Sequence, residues 1–568
     1  MFNLVEKIVF LFIIVFFALG EVHSQSPGLI WAKGIGGLQS EIIHDMQPDG
    51  FGHIDITGAF RGNVDFNPGA GTYSMISNGN ADIFILKLDV AGNFIWVKSI
   101  GGTGDDIGFA LSLDDNGSCY VTGSFKYLVD FDPGPGVQNI ISGGGDDAFV
   151  VKLDSSGNFN WAAVMGGPGI SAGRDIVTSS AGLFIGGNFS LTNDFDPGSG
   201  NYLLTSAGNT DGFICRLDYS GNFEWAGAMG GVFSDVTLAL AVDMANNVYA
   251  TGAFSDVGDF DPGPGTALVG AAGANDIFIT KWNGIGNFLW AKNIGSPGSD
   301  MGRSLAVDDN GSVYTTGYFS STADFNPSNA NFNMTSQGGW DIFLSKLDYM
   351  GNFIGAWSMG GSADDTGNDI DIDIQGNIYC TGGFTNSVDF DPGAGIFQLT
   401  SAGLRDGFIS KFMQDGSFLW TMKMGGTGFD EGQSIAIDAN GSLYTSGAFT
   451  YTANFDPLNT FTLTATGADD FYVAKYDGLT NIVNETSQGQ CIYFYPNPVT
   501  HNLTIQFQQI VEQGNLSITT TTGCIMYESS LEKSDKLLLD LKDWPGGIYL
   551  LNVKSRTFNE VKRIVLIN

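Results

Sequence analysis

A repeat of about 65 residues constrains this chain of 568 residues more than any other feature. The stretch "VDFDPGPG" at 129–136 returns six more times, as "VDFNPGAG", "DFDPGSG", "DFDPGPG", "DFNPS", "DFDPGAG" and "NFDPL". The leading residues fall at 65, 130, 194, 259, 324, 389 and 454, so one interval is 64 and the others are 65. A strict period of this length predicts one array of similar units rather than several unrelated domains.

Each unit contains four short apolar runs. In the unit at 108–167 these are "ALSLD", "CYVTGSF", "AFVVKLD" and "FNWAAVM", and no helical period occurs. The first two runs are joined by "DNG" and the last two by "SSGN", which are signals of tight hairpins. Four strands in each of seven units predict an all-β, seven-bladed β-propeller over residues 25–480.

The units resemble the bacterial SBBP-type β-propeller repeat. The matching stretches include "LAVDDNGSVYTTG" (305–317), "DIFITKWNGIGNFLW" (276–290) and "GGTGDD" (101–106). The resemblance covers roughly residues 31–477. It implies the propeller fold and says almost nothing about function.

The order of elements predicts how the ring closes. The first complete run, "LIWAKGIGG" at 29–37, matches the fourth strand of a unit, and the last, "DFYVAKYD" at 470–477, matches a third strand. We therefore expect the N-terminal strand to complete the last blade. Without it, the first and last blades would each leave an unpaired sheet edge.

The N-terminal residues 1–24 have the pattern of a secretory signal peptide. Lys7 precedes an apolar run from Ile8 to Leu19, and Val22 and Ser24 favour cleavage before Gln25. A run of about 12 apolar residues is too short to span a bilayer, although an uncleaved anchor is the alternative. We expect no transmembrane segment after signal removal.

The C-terminal residues 491–568 form a different domain, predicted to be a small β-sandwich and preceded by a polar linker at 481–490. They contain seven Lys/Arg and seven Asp/Glu, so the whole net charge of −36 lies before them. The stretches "YPNPVTHNLTI" (495–505), "LDLKDWPGGIYLLNV" (539–553) and "KRIVLIN" (562–568) resemble the C-terminal sorting domain of the Bacteroidota type IX secretion system. The resemblance implies recognition by the secretion machinery, export across the outer membrane, and release or surface attachment.

Charge and motifs bear on function. A net charge of −36 disfavours nucleic acid and anionic membrane surfaces as partners. The only histidines are 23, 44, 53 and 501, and the chain has no HExxH, GxSxG or Cys–His pairing. We therefore expect no enzyme. The recurring tryptophans, such as Trp96 and Trp161, are expected to pack between blades rather than to stack on carbohydrate.

The "DFDPG" motif has two interpretations. Asp-Pro-Gly suits a type II turn, in which proline fixes φ and glycine takes the positive-φ corner. Alternatively, the Asp-x-Asp spacing supplies hard oxygen ligands for calcium. The calcium candidates are Asp130, Asp132, Asp194, Asp196, Asp259, Asp261, Asp389 and Asp391. We expect the turn, because Asn replaces Asp in three repeats and a third carboxylate position is missing, and we expect no other cofactor.

Topology favours one face of the disc for binding. The connections between strands 2 and 3 and between successive units leave on the same face and are long, rich in glycine and acidic, and loops on a rigid scaffold commonly bind ligands. The strand-like "VQNIIS" inside the long connection must pair outside the main meander to preserve this arrangement. The sequence predicts an exported binding, adhesion or scaffold protein for an extracellular glycan or protein. The alternative is a glycan-active enzyme, which an asymmetric carboxylate cluster at the channel mouth would favour over a uniform sevenfold rim.

Overall fold

The computed structural model describes residues 26–456, 458–477, 492–495, 502–520, 525–542, 544–545, 547–555 and 559–566. Two compact units divide the chain, one from Gln25 to Leu479 and the other comprising the residues from Thr480 onward. The predicted signal peptide and the predicted linker lie outside the described residues. No helix among the described residues is long and apolar enough to cross a membrane.

Seven antiparallel four-stranded sheets make up the first unit, and in each the strands pair in the order first, second, third, fourth. In chain order, sheet 1 is Ile42–Pro48, Ile54–Asp65, Ser74–Leu88 and Phe94–Gly102; sheet 2 is Ile107–Leu113, Cys119–Phe125, Asp147–Leu153 and Phe159–Met165; sheet 3 is Ser171–Ser179, Gly182–Phe189, Asp211–Leu217 and Phe223–Gly231; sheet 4 is Val236–Val242, Val248–Phe254, Asp276–Trp282 and Phe288–Ile294; sheet 5 is Met301–Val307, Val313–Asp324, Asn333–Leu347 and Phe353–Gly361; sheet 6 is Thr366–Ile372, Ile378–Phe384, Asp406–Phe412 and Phe418–Gly426; sheet 7 is Glu431–Ile437, Leu443–Phe449, Asp470–Tyr476 and Leu29–Gly37.

Sheet 7 combines the two ends of this unit. Its first three strands are the last of the repeats, and its fourth strand is the N-terminal segment Leu29–Gly37, which pairs antiparallel with Asp470–Tyr476. Trp31 of this segment also reaches sheet 1, where its indole N–H donates to the carbonyl of Val90 at 3.1 Å. The N-terminal strand therefore contacts both the last and the first repeat.

The extra strand-like segment of each repeat forms a hairpin of its own. The separate hairpins are Leu128–Asp130 with Asn139–Ile141, Thr192–Asp194 with Leu203–Thr205, Val257–Asp259 with Leu268–Gly270, Ser387–Asp389 with Gln398–Thr400, and Thr452–Asn454 with Thr462–Thr464. In sheets 1 and 5 the hairpin continues the second and third strands. Each hairpin reaches the fourth strand of the preceding sheet, as Asp130 opposite Gly101 shows. The prediction that this segment pairs outside the meander is confirmed.

Apolar clusters fill the spaces between successive sheets, because both faces of each sheet carry buried side chains. There is one such cluster for every consecutive pair from sheets 1 and 2 to sheets 6 and 7. A further cluster joins sheet 7 to sheet 1, and in it Phe84 and Phe471 stack with centroids 5.2 Å apart. Close approach also requires glycine: a Cβ at Gly302 of sheet 5 would lie 2.2 Å from the Thr251 hydroxyl oxygen of sheet 4.

Most of the repeated tryptophans link neighbouring sheets while remaining half-exposed, whereas Trp420 is buried. Trp96 of sheet 1 donates its indole N–H to the carbonyl of Ser155 in sheet 2 at 3.3 Å, and Trp161 of sheet 2 makes the same contact with Tyr219 in sheet 3. The ring of Trp96 lies against Gly157, where a Cβ would clash at 3.0 Å. These side chains therefore pack between sheets, as predicted.

The C-terminal unit is one antiparallel sheet. Its strands are Ile492–Tyr495, Asn502–Thr520, Ile525–Asp540, Gly547–Ser555 and Asn559–Leu566. The long strand Asn502–Thr520 pairs with three others and shifts register between Gln506 and Val511. Side chains from both of its stretches, including Ile505 and Ile518, share one core. That the two stretches face each other as a sandwich stays a prediction.

Candidate functional site

The "DFDPG" segments form similar turns around a buried phenylalanine. Phe131 is fully buried and meets Phe125 edge-on, with ring centroids 5.1 Å apart. Asp130 accepts two backbone hydrogen bonds on Oδ1, from Asp132 at 3.1 Å and Gln138 at 2.7 Å. The same pair of bonds occurs at residues 65, 194, 259, 324, 389 and 454.

The second acid of the motif closes the turn. Asp132 Oδ1 accepts from the backbone N–H of Gly134 at 2.8 Å, which is an Asx turn. Equivalent bonds are made by Asp196, Asp261 and Asp391, and by the asparagines at 67 and 326. The type II turn was a wrong prediction: none of the glycines after the proline, at 69, 134, 198, 263 and 393, has a positive φ. The side-chain acceptor closes the turn instead, so glycine does not need the left-handed region.

The calcium hypothesis for these aspartates stays a prediction. Asp130 and Asp132 each use one carboxylate oxygen as a backbone acceptor. Asn454 replaces the first acid in the last repeat and accepts the same two bonds. Among the residues that the structure describes, no group of three His, Cys, Asp or Glu side chains is placed to hold a metal ion. Turn formation accounts for the contacts seen.

A second set of acids, which sequence reasoning missed, is buried where consecutive sheets meet. In sheet 4, Asp276 begins the third strand and accepts from the backbone N–H of Ala272, while its Oδ1 is buried without a partner. Nearby Asp300 accepts from the backbone N–H groups of Ser296 and Ser320. Burial, reinforced by Asp300, raises the pKa of Asp276 to about 6. These acids tie connections to strands, and their recurrence in "GGTGDD"-like segments was the available signal.

A different group of residues meets at one end of the first strands. Each first strand has a β-bulge at the same position, where its register against the second strand shifts by one residue. A bulge leaves one residue unpaired and redirects its side chain. The seven bulge residues are His44, Phe109, Arg174, Leu238, Arg303, Asn368 and Gln433. We call them the mouth ring; only arginine occurs twice in it.

All seven mouth-ring residues line one cavity of about 540 Å³, the mouth cavity. Thr210 and Ser234 also line it; they belong to the two kinds of long connection and form a bridge with each other. The long connections therefore share the face on which this cavity opens, as the topology predicted.

One side of the mouth cavity is aromatic and cationic. The Arg174 guanidinium lies 4.3 Å from the centroid of the Phe109 ring, and the His44 ring lies 5.1 Å from the same centroid. Arg174 Nε donates to Asn188 Oδ1 at 3.1 Å. Burial, together with the charge of Arg174, lowers the pKa of His44 to about 4, so this histidine is neutral at physiological pH.

The other side is a polar network. Arg303 Nη1 donates to Asn368 Oδ1 at 3.0 Å, and Asn368 Nδ2 donates to Glu431 Oε1 at 2.8 Å. Glu431 in turn pairs with Arg405 at 3.2 Å. The network fixes Asn368 and one edge of the Arg303 guanidinium.

Carboxylates lie one residue deeper, in a second cavity of about 390 Å³. Asp45, Asp175 and Asp369 occupy the position after the bulge in sheets 1, 3 and 6. Each accepts the backbone N–H of the following residue and of a residue in the next sheet; Asp175, for example, accepts from Leu240 at 2.6 Å. Burial raises the pKa of Asp175 to about 6. These acids link first strands, and the asymmetric ring at the mouth contains no carboxylate.

Family comparisons match both parts of the chain. Residues 289–326 and 354–390 match the β-propeller repeat called SBBP. Residues 493–568 match the secretion system C-terminal sorting domain called Por_Secre_tail. The chain carries β-propeller repeats and a type IX sorting domain. The suspected resemblance is confirmed, and the sorting domain supports export to the cell surface or beyond.

Curated relatives are distant. An uncharacterized WD repeat-containing protein, L264, of Acanthamoeba polyphaga mimivirus is 24% identical, over 80% of this chain and 38% of its own length. The regulatory protein FlaEY of Caulobacter vibrioides is 23% identical, over 68% of this chain and 40% of its own length. This chain thus spans about two fifths of these relatives. A solved Bacteroides thetaiotaomicron protein of unknown function is 12% identical over 77% of this chain and 98% of its own, at a TM-score of 0.25.

Proposed function

We propose that this protein is an exported, seven-bladed β-propeller that binds an extracellular glycan or protein at the mouth cavity and acts in adhesion or as a scaffold. The observation that carries the proposal is the mouth ring, in which equivalent positions hold six residue types. Some other positions keep the same residue in every repeat for one structural task, as the seven buried phenylalanines do. A concave cavity lined by several different polar, charged and aromatic side chains is typical of a ligand-binding site.

A closed ring is part of this proposal. Three contacts between the ends of the array support it: the pairing of Leu29–Gly37 with Asp470–Tyr476, the shared apolar cluster of sheets 7 and 1, and the hydrogen bond from Ser434 Oγ to Asp45 Oδ1 at 3.2 Å. Closure removes the free edges that an open array of sheets would expose.

We also propose that the protein binds its ligand without catalysing a reaction. The acids that an asymmetric glycosidase site would need, Asp45, Asp175 and Asp369, already accept backbone N–H groups from two strands each. A glycosidase requires one pair of carboxyl groups flanking a scissile bond. The alternative of a glycan-active enzyme therefore lacks a specific supporting contact.

A blocking variant tests the proposed site. Leu238→Trp places a large ring in the mouth cavity, and Leu128→Trp makes the same change in the exposed hairpin formed by Leu128–Asp130 and Asn139–Ile141. Residues 25–480 and both variants are screened on arrays of glycans and matrix proteins. We expect ligands of the parent protein to be lost by Leu238→Trp and kept by Leu128→Trp. Binding that both variants retain would refute the mouth as the site.

Export is tested on native material. We propose Sec-dependent export through residues 1–24 and removal of the sorting domain after outer-membrane passage. Mass spectrometry of the secreted or surface-attached protein is expected to find a chain that starts near Gln25 and lacks residues from about 491 onward. A secreted chain that retains its C-terminus would contradict this proposal.

A further inference from the structure

We propose that the ligand of the mouth cavity carries an oxyanion group, a carboxylate or a sulfate ester, that binds between Arg174 and Arg303. This inference rests on the proposed function and specifies the chemistry of its ligand. The first unit contains few arginines, and the chain is strongly acidic.

The five arginines of the first unit have unequal partners. Arg61 pairs with Asp105 at 2.9 Å, and Arg405 pairs with Glu431 at 3.2 Å. Arg216 donates to the backbone carbonyls of sheets 3 and 4. Among the described residues, Arg174 and Arg303 form no ion pair, and each donates a hydrogen bond to one amide oxygen. In a chain with a net charge of −36, Arg174 and Arg303 thus line the same cavity without an acidic partner among the described residues.

Both guanidinium groups have N–H donors that are not used in the hydrogen bonds described above. A guanidinium carries five N–H donors in a planar fork. Arg174 uses Nε for Asn188, and Arg303 uses Nη1 for Asn368. Arg303 Nε is buried and has no hydrogen-bond partner. An unpaired buried donor is costly, and two forks of this kind suit a carboxylate or sulfate group, which accepts bidentate hydrogen bonds.

Their surroundings hold the two arginines in place. Arg174 stacks on Phe109, and the Arg303 guanidinium lies 5.7 Å from the centroid of the Tyr318 ring. Tyr318 is itself stacked on Trp340 at 4.5 Å. Side chains fixed in this way lose little conformational freedom when a ligand binds, which favours affinity.

Asp235 lines the same cavity, but among the described residues it forms no ion pair with Arg174 or Arg303. Asp235 accepts from the backbone N–H groups of Gly231 at 2.6 Å and Ser255 at 2.9 Å. Asn188 and Gln433 add neutral polar groups that suit hydroxyls. A cavity of about 540 Å³ accommodates one or two sugar residues. The ligand class that fits is an acidic saccharide, either a uronate or a sulfated sugar.

The test observes the arginines directly. Residues 25–480, which correspond to one compact unit, contain only the arginines 61, 174, 216, 303 and 405. Selective ¹⁵N labelling of arginine therefore gives few side-chain Nε–H signals, which single variants assign. Glucuronate, glucose 6-sulfate and glucose are titrated separately. We expect saturable shifts of the Arg174 and Arg303 signals with one or both anions, and none with glucose.

Variants complete the experiment. Arg174→Gln and Arg303→Gln are each expected to weaken binding of the responding anion about tenfold, whereas Arg61→Gln, at an exposed ion pair, leaves it unchanged. A response to glucuronate alone assigns a uronate, and a response to the sulfate ester alone assigns a sulfated sugar. The inference is overturned if Arg174 and Arg303 respond to neither anion more than Arg61 does. The arrays provide a second test. If Leu238→Trp abolishes binding of an array ligand and both glutamine variants still bind it, the oxyanion inference is overturned while the proposed function stands.

Discussion

The turns of the "DFDPG" segments, here called the rim turns, and the mouth ring are both repeated seven times on the same scaffold. They differ in which of their features every repeat keeps. At the rim, every repeat places a buried phenylalanine and an Asp or Asn acceptor in the same geometry. At the mouth, the bulge geometry is repeated, but its side chain changes from His44 to Phe109 to Arg174 and onward. Backbone geometry is thus constant in both regions, and only the mouth varies in chemistry.

This difference separates two physical tasks. A turn that closes on its own backbone needs one acceptor and one apolar anchor, and any repeat that loses them loses stability. A bulge residue that points into an open cavity satisfies no such local requirement. The side chains there are free to differ, so their identities report what the cavity contacts.

The largest expected effect concerns the shared scaffold. Deleting residues 29–37 removes the fourth strand of sheet 7 and the Trp31 contact with sheet 1. We expect aggregation or a loss of several kcal/mol in the free energy of unfolding, well beyond typical single-residue effects. Thermal denaturation of residues 25–480 measures it, with deletion of residues 25–28 alone as control. An unchanged melting temperature would refute closure by this strand.

Two alanine substitutions, one in a rim turn and one in the mouth ring, test whether the two regions differ in their contribution to stability. Phe131→Ala removes a fully buried ring at the rim and is expected to cost about 3–5 kcal/mol. Gln433→Ala, in the mouth ring, is expected to stay within about 0.5 kcal/mol. Chemical denaturation of both variants gives the two values. If the two substitutions lower the free energy of unfolding by similar amounts, the mouth ring is as important for stability as the rim turns, and the distinction between scaffold and site is wrong.

Buried acids of the scaffold make stability depend on pH. Burial raises the pKa of Asp276 and Asp341 to about 6 and that of Asp365 to about 7. The folded state then retains protons that the unfolded state releases near pH 4, so the stability from these groups is lost as pH rises from about 4 to 7. The free energy of unfolding therefore decreases between about pH 4 and pH 7. We expect Asp276→Asn to make this decrease smaller by about 1–3 kcal/mol, since a pKa shift of one unit corresponds to about 1.4 kcal/mol. Melting curves at several pH values measure it; exposed Asp309→Asn is the control and should leave the slope unchanged.

The smallest expected effect concerns calcium at the rim turns. If Asp130 and Asp132 only form turns, calcium and magnesium at equal ionic strength should shift melting equally, and Asp130→Asn with Asp132→Asn should change stability little, as Asn454 already indicates. Occupied sites would instead add about 2.7 kcal/mol each at a free calcium concentration 100-fold above Kd. A calcium-specific shift that the double variant loses would make the rim a metal site.

The sequence by itself determined the repeat, its four strands, the inter-sheet tryptophans and the sorting domain, because each is encoded by local alternation or by a contiguous motif. It misassigned the turn, because Pro-Gly suggested a type II geometry that the Asp132 side chain makes unnecessary. It missed the buried acid pairs, since their two members come from separate segments: Asp276 begins a strand, and Asp300 lies in the connection between two sheets. Only the fold brings them together.

The mouth ring was decided by tertiary structure alone. Strict alternation along a strand places adjacent residues on opposite faces. By that rule Arg174 and Asp175 should point apart, yet both line the cavities along the first strands. The bulge between Gly173 and Asp175 makes this possible, because it inserts one unpaired residue and turns it toward the mouth cavity. A sequence pattern records neither the bulge nor the gathering of seven distant residues around one cavity.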